Sequence, residues 1–202
     1  MYIRLLIAVH FFYVLPATTV YGQKTASNEP SYEKMPPAPE NYRPGNVLVR
    51  MIDGLGYRFY WATEGLHSED LEYRPTDEAR STAETIDHIL SLTTWIANVT
   101  EGASAKEINQ GKSRSWSEKR AQVLHNLWQT RQWLVDREEE ELAALRIITG
   151  NRKGAAELPY WNMINGPIAD AIYHTGQIVL LRRISGNPMS SKVDVFRGEN
   201  RP

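Results

Sequence analysis

The 202-residue chain contains no cysteine. That absence removes disulfide scaffolds, thiol nucleophiles and cysteine-ligated zinc together, so stability has to come from core burial and any metal must be held by histidine and carboxylate. Charge of one sign is also missing: 23 Lys+Arg stand against 24 Asp+Glu, a formal net charge of −1. Without a basic stripe, no nucleic-acid partner is expected. No apolar run reaches the ~20 residues needed to span a bilayer, so no membrane attachment is expected of the mature domain. No internal repeat and no strand-like alternation of any length is visible, which leaves helices as the building element.

What is there begins with residues 1–22. A lone positive charge (Arg4), an apolar core from Leu5 to Val14 and small residues up to Val20-Tyr21-Gly22 have the layout of a secretory signal peptide. Cleavage is expected near Gly22, with an uncut anchor as the open alternative, and the protein is expected to be exported, either periplasmic or secreted. Residues 23–45 carry Pro30, Pro36, Pro37, Pro39 and Pro44 and nothing periodic, which predicts a disordered linker. A helical domain over 46–188 follows, and residues 189–202 read as a tail that is loose or packs on a partner.

Within the domain, Leu48, Ile52, Leu55, Phe59, Ala62 and Leu66 recur at steps of three and four and predict a first helix over 46–65. Gly54 and Gly56 inside it imply close contact or a kink. Residues 67–80 read as a loop. Ser81 and Glu84 form a capping box that starts a second helix, whose apolar seam runs Thr85, His88, Leu92, Trp95, Val99. Ser115 and Glu118 form another, opening a long third helix traced by Val123, Leu124, Leu127, Leu134, Leu142 and Leu145, with the charged run 136–141 as a solvated face. A fourth helix is expected over 165–184, with Pro167 just inside its start, Arg182 and Arg183 in its last turns and Gly186-Asn187-Pro188 beyond. The fold class is all-α, a four-helix bundle.

Asp170 and His174 stand four residues apart, so on a helix they share one face and can reach a single ion. His88 lies on the apolar seam of the second helix, where a neutral imidazole costs free energy unless its nitrogens find a hydrogen bond or a metal. Bundles build metal sites from such inward side chains on facing helices. Two imidazoles and one carboxylate leave coordination positions open, as a reactive site needs and a structural zinc site does not. On spacing alone the plainer alternatives stand: Asp170 and His174 as an ordinary hydrogen-bonded pair, His88 as a packed core histidine. His125 is a candidate fourth ligand from the third helix. Trp161 and Tyr173 are expected to supply packing surface around the site.

The segments Ser81-x-x-Glu84-x-x-x-His88-Ile89 and Ile168-Ala-Asp-Ala-Ile-Tyr-His174-Thr-Gly-Gln177-Ile178 resemble the DinB/YfiT-like family of proposed metalloenzymes, four-helix bundles unrelated in fold to the DNA polymerase that shares the label. The resemblance covers roughly residues 45–188. It implies metal ligands at His88, Asp170 and His174, a divalent ion (zinc, nickel, iron or manganese), and thiol-group transfer, thiol-dependent isomerisation or hydrolysis on a small molecule. Gln177 would orient a ligand or water from behind. One departure is plain: the family usually has histidine where this chain has Asp170, which shifts preference away from a three-imidazole zinc or nickel site or abolishes binding. The competing expectation is a non-catalytic binding or stress-related bundle, a homodimer with a degenerate site.

Overall fold

The computed structural model describes residues 31–102, 114–149 and 156–202; the signal-peptide expectation for residues 1–22 lies outside them. The chain is mostly helical, as expected. Four long helices, α1 (Pro44–Thr63), α3 (Thr82–Thr100), α4 (Trp116–Leu134) and α7 (Ala169–Ile184), pack so that α1 and α3 each touch both α4 and α7. Their facing stripes supply Ile52, Leu55 and Phe59, Ile86, Ile89 and Ile96, Val123 and Leu127, and Ala171 and Ile178, all almost completely buried.

Both expected capping boxes start their helices. The Ser81 hydroxyl accepts from the Glu84 amide and the Glu84 carboxylate accepts from the Ser81 amide at 2.8 Å; Ser115 and Glu118 repeat the arrangement at α4. These local hydrogen bonds satisfy backbone donors that the first turn leaves free.

Where the structure departs from the sequence reading, tertiary contacts decide. The loop 67–80 contains a short helix, α2 (Ser68–Glu72). The long third helix stops at Leu134 because Asp136 turns left-handed (φ 58°), held by Asn46, whose side chain accepts from the Asp136 amide and donates to its carboxylate. The chain then restarts as α5 (Glu139–Ala144). Two four-residue strands were not expected: β1 (Arg146–Thr149) pairs antiparallel with β2 (Ala156–Pro159). So short a hairpin leaves no readable period, and only Ile147 is buried by it.

The fourth helix is not continuous from residue 165. A single turn, α6 (Trp161–Met163), passes into a wide π-type turn, Ile164–Ile168, before α7 begins. Gly166 leaves the helical region (φ −99°, ψ −105°) because the α conformation is disfavoured for a residue before proline, here Pro167.

The expected linker and tail are corrected from Ser31 onward and in the C-terminal segment, for residues of both segments dock on α1. Tyr32 is fully buried, Trp61 donates its indole N–H to the Glu33 carbonyl, and Arg50 donates to the Pro36 carbonyl. The Met35 amide donates to the Gly198 carbonyl, Lys34 pairs with Glu199, and Tyr57 donates to the Asn200 side chain at 3.0 Å. Proline density suggested mobility, but an aromatic ring with a matching groove outweighs it. Gly56 makes that groove: a Cβ there would collide with the Tyr32 ring. Gly56→Ala is expected to cost about 1–2 kcal/mol by overpacking and to raise amide exchange at residues 32–36, read by hydrogen–deuterium exchange.

A buried ion pair links α1 to α4. Asp53 is fully buried and accepts from Arg131 Nε at 3.0 and 3.2 Å. Burial pushes the Asp53 carboxyl up to about 6, with Arg131 pulling against it.

Candidate metal centre

Two elements deliver the site. The capping box fixes the start of α3, which places His88 two turns in, on the flank that packs against α7. The π-type turn ends at Ile168, so Asp170 falls in the first turn of α7, where the helix dipole favours a carboxylate. His174 is one turn further on and 8% exposed.

The structure brings the three expected residues together. One ligand atom from each of His88, Asp170 and His174 lies within 4.8 Å of the others, and no other group of three such side chains converges among the described residues. His88 Nε2 is 3.2 Å from Asp170 Oδ2, and His174 Nε2 is 3.3 Å from Asp170 Oδ1. Both separations are close to the ~3.3 Å between ligand atoms in a tetrahedral zinc site with bonds of ~2.0–2.1 Å. The two imidazoles stand nearly perpendicular, ring centroids 4.6 Å apart at 84°.

Gln177, three residues past His174, has its Oε1 2.7 Å from His174 Nδ1. When Nδ1–H donates to that oxygen, the lone pair of a neutral His174 sits on Nε2, directed at the centre. A lone pair then faces a carboxylate oxygen across 3.3 Å. Two acceptors facing each other in this way are stabilised by a positive charge between them, which a metal cation supplies. The donor set therefore suits a divalent ion.

His125 is not part of the group; it lines a separate cleft with Arg114, Glu118, Ala121 and Gln122. Of the two aromatics expected to pack around the site, Tyr173 meets the His174 ring edge-on at 5.3 Å but is 64% exposed, and Trp161 is 75% exposed. Neither is a core residue; for Tyr173 the reason is that Ala171, His174 and Ile178 take the inward face of α7 and leave position 173 on its outer side.

Beside Asp170 the surface opens into a cleft of about 480 Å³, lined by Leu92 and Trp95 from α3 and by Asn165, Gly166, Pro167, Ala169 and Tyr173 from the turn and α7. Sequence reading missed these positions as a unit. The signal was the Gly166-Pro167 pair, which interrupts the helical period where the cleft forms.

No curated protein matches the chain in sequence. Among solved structures, the fold is similar to a DinB-like protein from Bacillus subtilis (YjoA), with a TM-score of 0.54 at 16% identity, covering 76% of this chain and 99% of that one. At that identity the likeness is one of fold. The sequence model of the DinB family matches residues 44–195, from the first residue of α1 past the end of α7, and the chain belongs to the DinB family.

Proposed function

We propose that the chain is a metal-dependent enzyme in which a four-helix bundle gathers His88, Asp170 and His174 around one divalent cation, zinc, nickel, iron or manganese. The observation that carries this is the convergence of His88 Nε2, His174 Nε2 and the Asp170 carboxylate, three side chains from two helices with ligand atoms within 4.8 Å of one another. When bound, such an ion supplies Lewis acidity to a substrate oxygen and brings the pKa of a water or thiol toward neutrality.

The chain's own residues do the rest. Asp170 and the two histidines fix the position of charge, and Gln177 holds the His174 ring in the tautomer that presents Nε2. The open cleft beside Asp170 receives a small-molecule substrate. Hydrolysis or thiol-dependent transfer fits this arrangement; with no cysteine in the chain, any thiol comes from a co-substrate. Export, proposed from the sequence of residues 1–22, favours hydrolysis, since a cytosolic thiol cofactor would be out of reach.

The test is metal content. Untagged protein reconstituted with zinc or manganese and dialysed is expected to retain about one equivalent, as a single three-residue site dictates. Retention below about a tenth of an equivalent in both wild type and His88→Ala removes the enzyme reading. Gln177→Leu is expected to lower metal affinity by ~10–100-fold and Gln177→Glu to restore most of it. Competition against a chromophoric chelator measures both.

A second reading has its own observation. Asp170 already lies within hydrogen-bonding reach of both imidazoles, so a protonated His174 would complete a purely structural triad. On that reading the chain is a non-catalytic bundle, a homodimer through the exposed stripe of Tyr173, Leu180 and Ile184 on α7. A monomeric mass by light scattering at high concentration would count against the dimer.

A further inference from the structure

We infer that the cleft beside Asp170 selects an uncharged substrate with a flat apolar body, which reaches the centre through a single polar head. The inference rests on the metal-dependent reading above and concerns what the chain's own walls recognise.

The lining carries the argument. Leu92, Pro167 and Ala169 are apolar, Trp95 and Tyr173 bring two aromatic side chains from different helices, and Asn165 adds one amide. Among the described residues, no lysine or arginine lines the cleft. Sites for carboxylate or phosphate groups use such residues, because an anion leaving water without a cationic partner or donors loses more than it gains. The volume of about 480 Å³ admits a molecule of one or two rings. Aromatic walls hold flat bodies by stacked or edge-on contact. Tyr173 sits where the cleft meets the centre: it lines the cleft, and its ring lies against His174 at 5.3 Å.

Three hydroxamates with the same metal-binding head separate the alternatives: acetohydroxamate, benzohydroxamate and the monohydroxamate of succinic acid. They are titrated by calorimetry into full-length, zinc-loaded protein. Benzohydroxamate is expected to bind at least about tenfold more tightly than acetohydroxamate, since burying one ring against an apolar wall amounts to one such step or more. The succinic compound is expected to bind no more tightly than acetohydroxamate. Tyr173→Ala removes a largely exposed side chain, so the fold is not at stake; it is expected to erase most of the aromatic preference, read as the ratio of benzohydroxamate to acetohydroxamate affinity. Zinc uptake with equal affinities for the aceto and benzo compounds, or with tightest binding of the anionic one, overturns the inference and leaves the metal centre standing. If the protein takes up no zinc, both fall.

Discussion

Zinc at a hundredfold excess over its dissociation constant is expected to raise the melting temperature of the wild-type protein by roughly 5–10 °C, and His174→Ala to abolish the shift. A ligand that binds only the folded state stabilises it by about 2.7 kcal/mol at that excess, and for a domain of this size each kcal/mol moves the midpoint by about 2–4 °C. His174 is the most telling position. It is the most enclosed of the three residues, its tautomer is fixed by Gln177, and its Nε2 faces Asp170. Removing the ring takes away one ligand atom of three and leaves the carboxylate with His88 alone. Asp170→Asn tests the same centre from the other side, since an amide oxygen is a weak ligand for a transition metal. Differential scanning fluorimetry with and without metal reads both. A full shift retained in His174→Ala would place the metal elsewhere.

Arg131→Met is expected to cost about 3–4 kcal/mol at pH 8 and clearly less at pH 5. The cause is Asp53, fully buried between α1 and α4 with Arg131 as its counter-charge. Its carboxyl is raised from 3.8 to about 6, burial being the largest cause. For this group the folded state holds its proton more tightly than the unfolded chain. Its contribution to stability is therefore fully present below about 3.8 and is lost as pH rises through about 6. In wild type, Arg131 limits that loss by stabilising the ionised form. Without the guanidinium the carboxyl is pushed higher still, and at pH 8 Asp53 is either ionised without its hydrogen-bonded counter-charge or holds a proton at a cost, whereas at pH 5 it is mostly protonated already and loses only one hydrogen bond and some packing. Urea denaturation at the two pH values measures the difference. A penalty that does not grow with pH would show that Asp53 is not the group responsible.

Much of the scaffold was legible because it depends on short-range chemistry. The capping boxes at Ser81 and Ser115 set the starts of α3 and α4 through contacts three residues apart, and the period of α1 marks its inward stripe. On α3 the expected seam is buried at Thr85, Leu92 and Val99 but only half-buried at His88 and Trp95, because Ile86, Ile89 and Ile96, one position round, take the core. Pairing Asp170 with His174 follows from helix geometry alone. Bringing His88 to them does not: it sits 82 residues from Asp170 in the chain, and its place on an apolar seam made it a candidate, strengthened by the resemblance, without showing that α3 packs against α7. The cleft was invisible for a related reason. Its walls come from two helices and a wide turn, and a Gly-Pro step gives no indication of which surface it will open.

Arg182 shows the division most clearly. In the sequence it is a last-turn cation suited to the dipole of its own helix. In the fold it is 3% exposed and donates to the carbonyls of Trp61, Ala62 and Glu64, while Arg120 from α4 donates to the Tyr60 carbonyl. α1 has no basic residue in its last turn, so two other helices satisfy its free carbonyls.

By itself, the sequence determined the helical class, the two capped helix starts, the apolar stripe of α1 and the ligand pair on one face, since each arises within a few residues of chain. Tertiary structure alone decided where α4 breaks, how the proline-rich segment docks against Gly56, which cations cap α1 and that His88 meets Asp170. Those outcomes depend on surfaces from distant segments coming into register, and no local pattern encodes that.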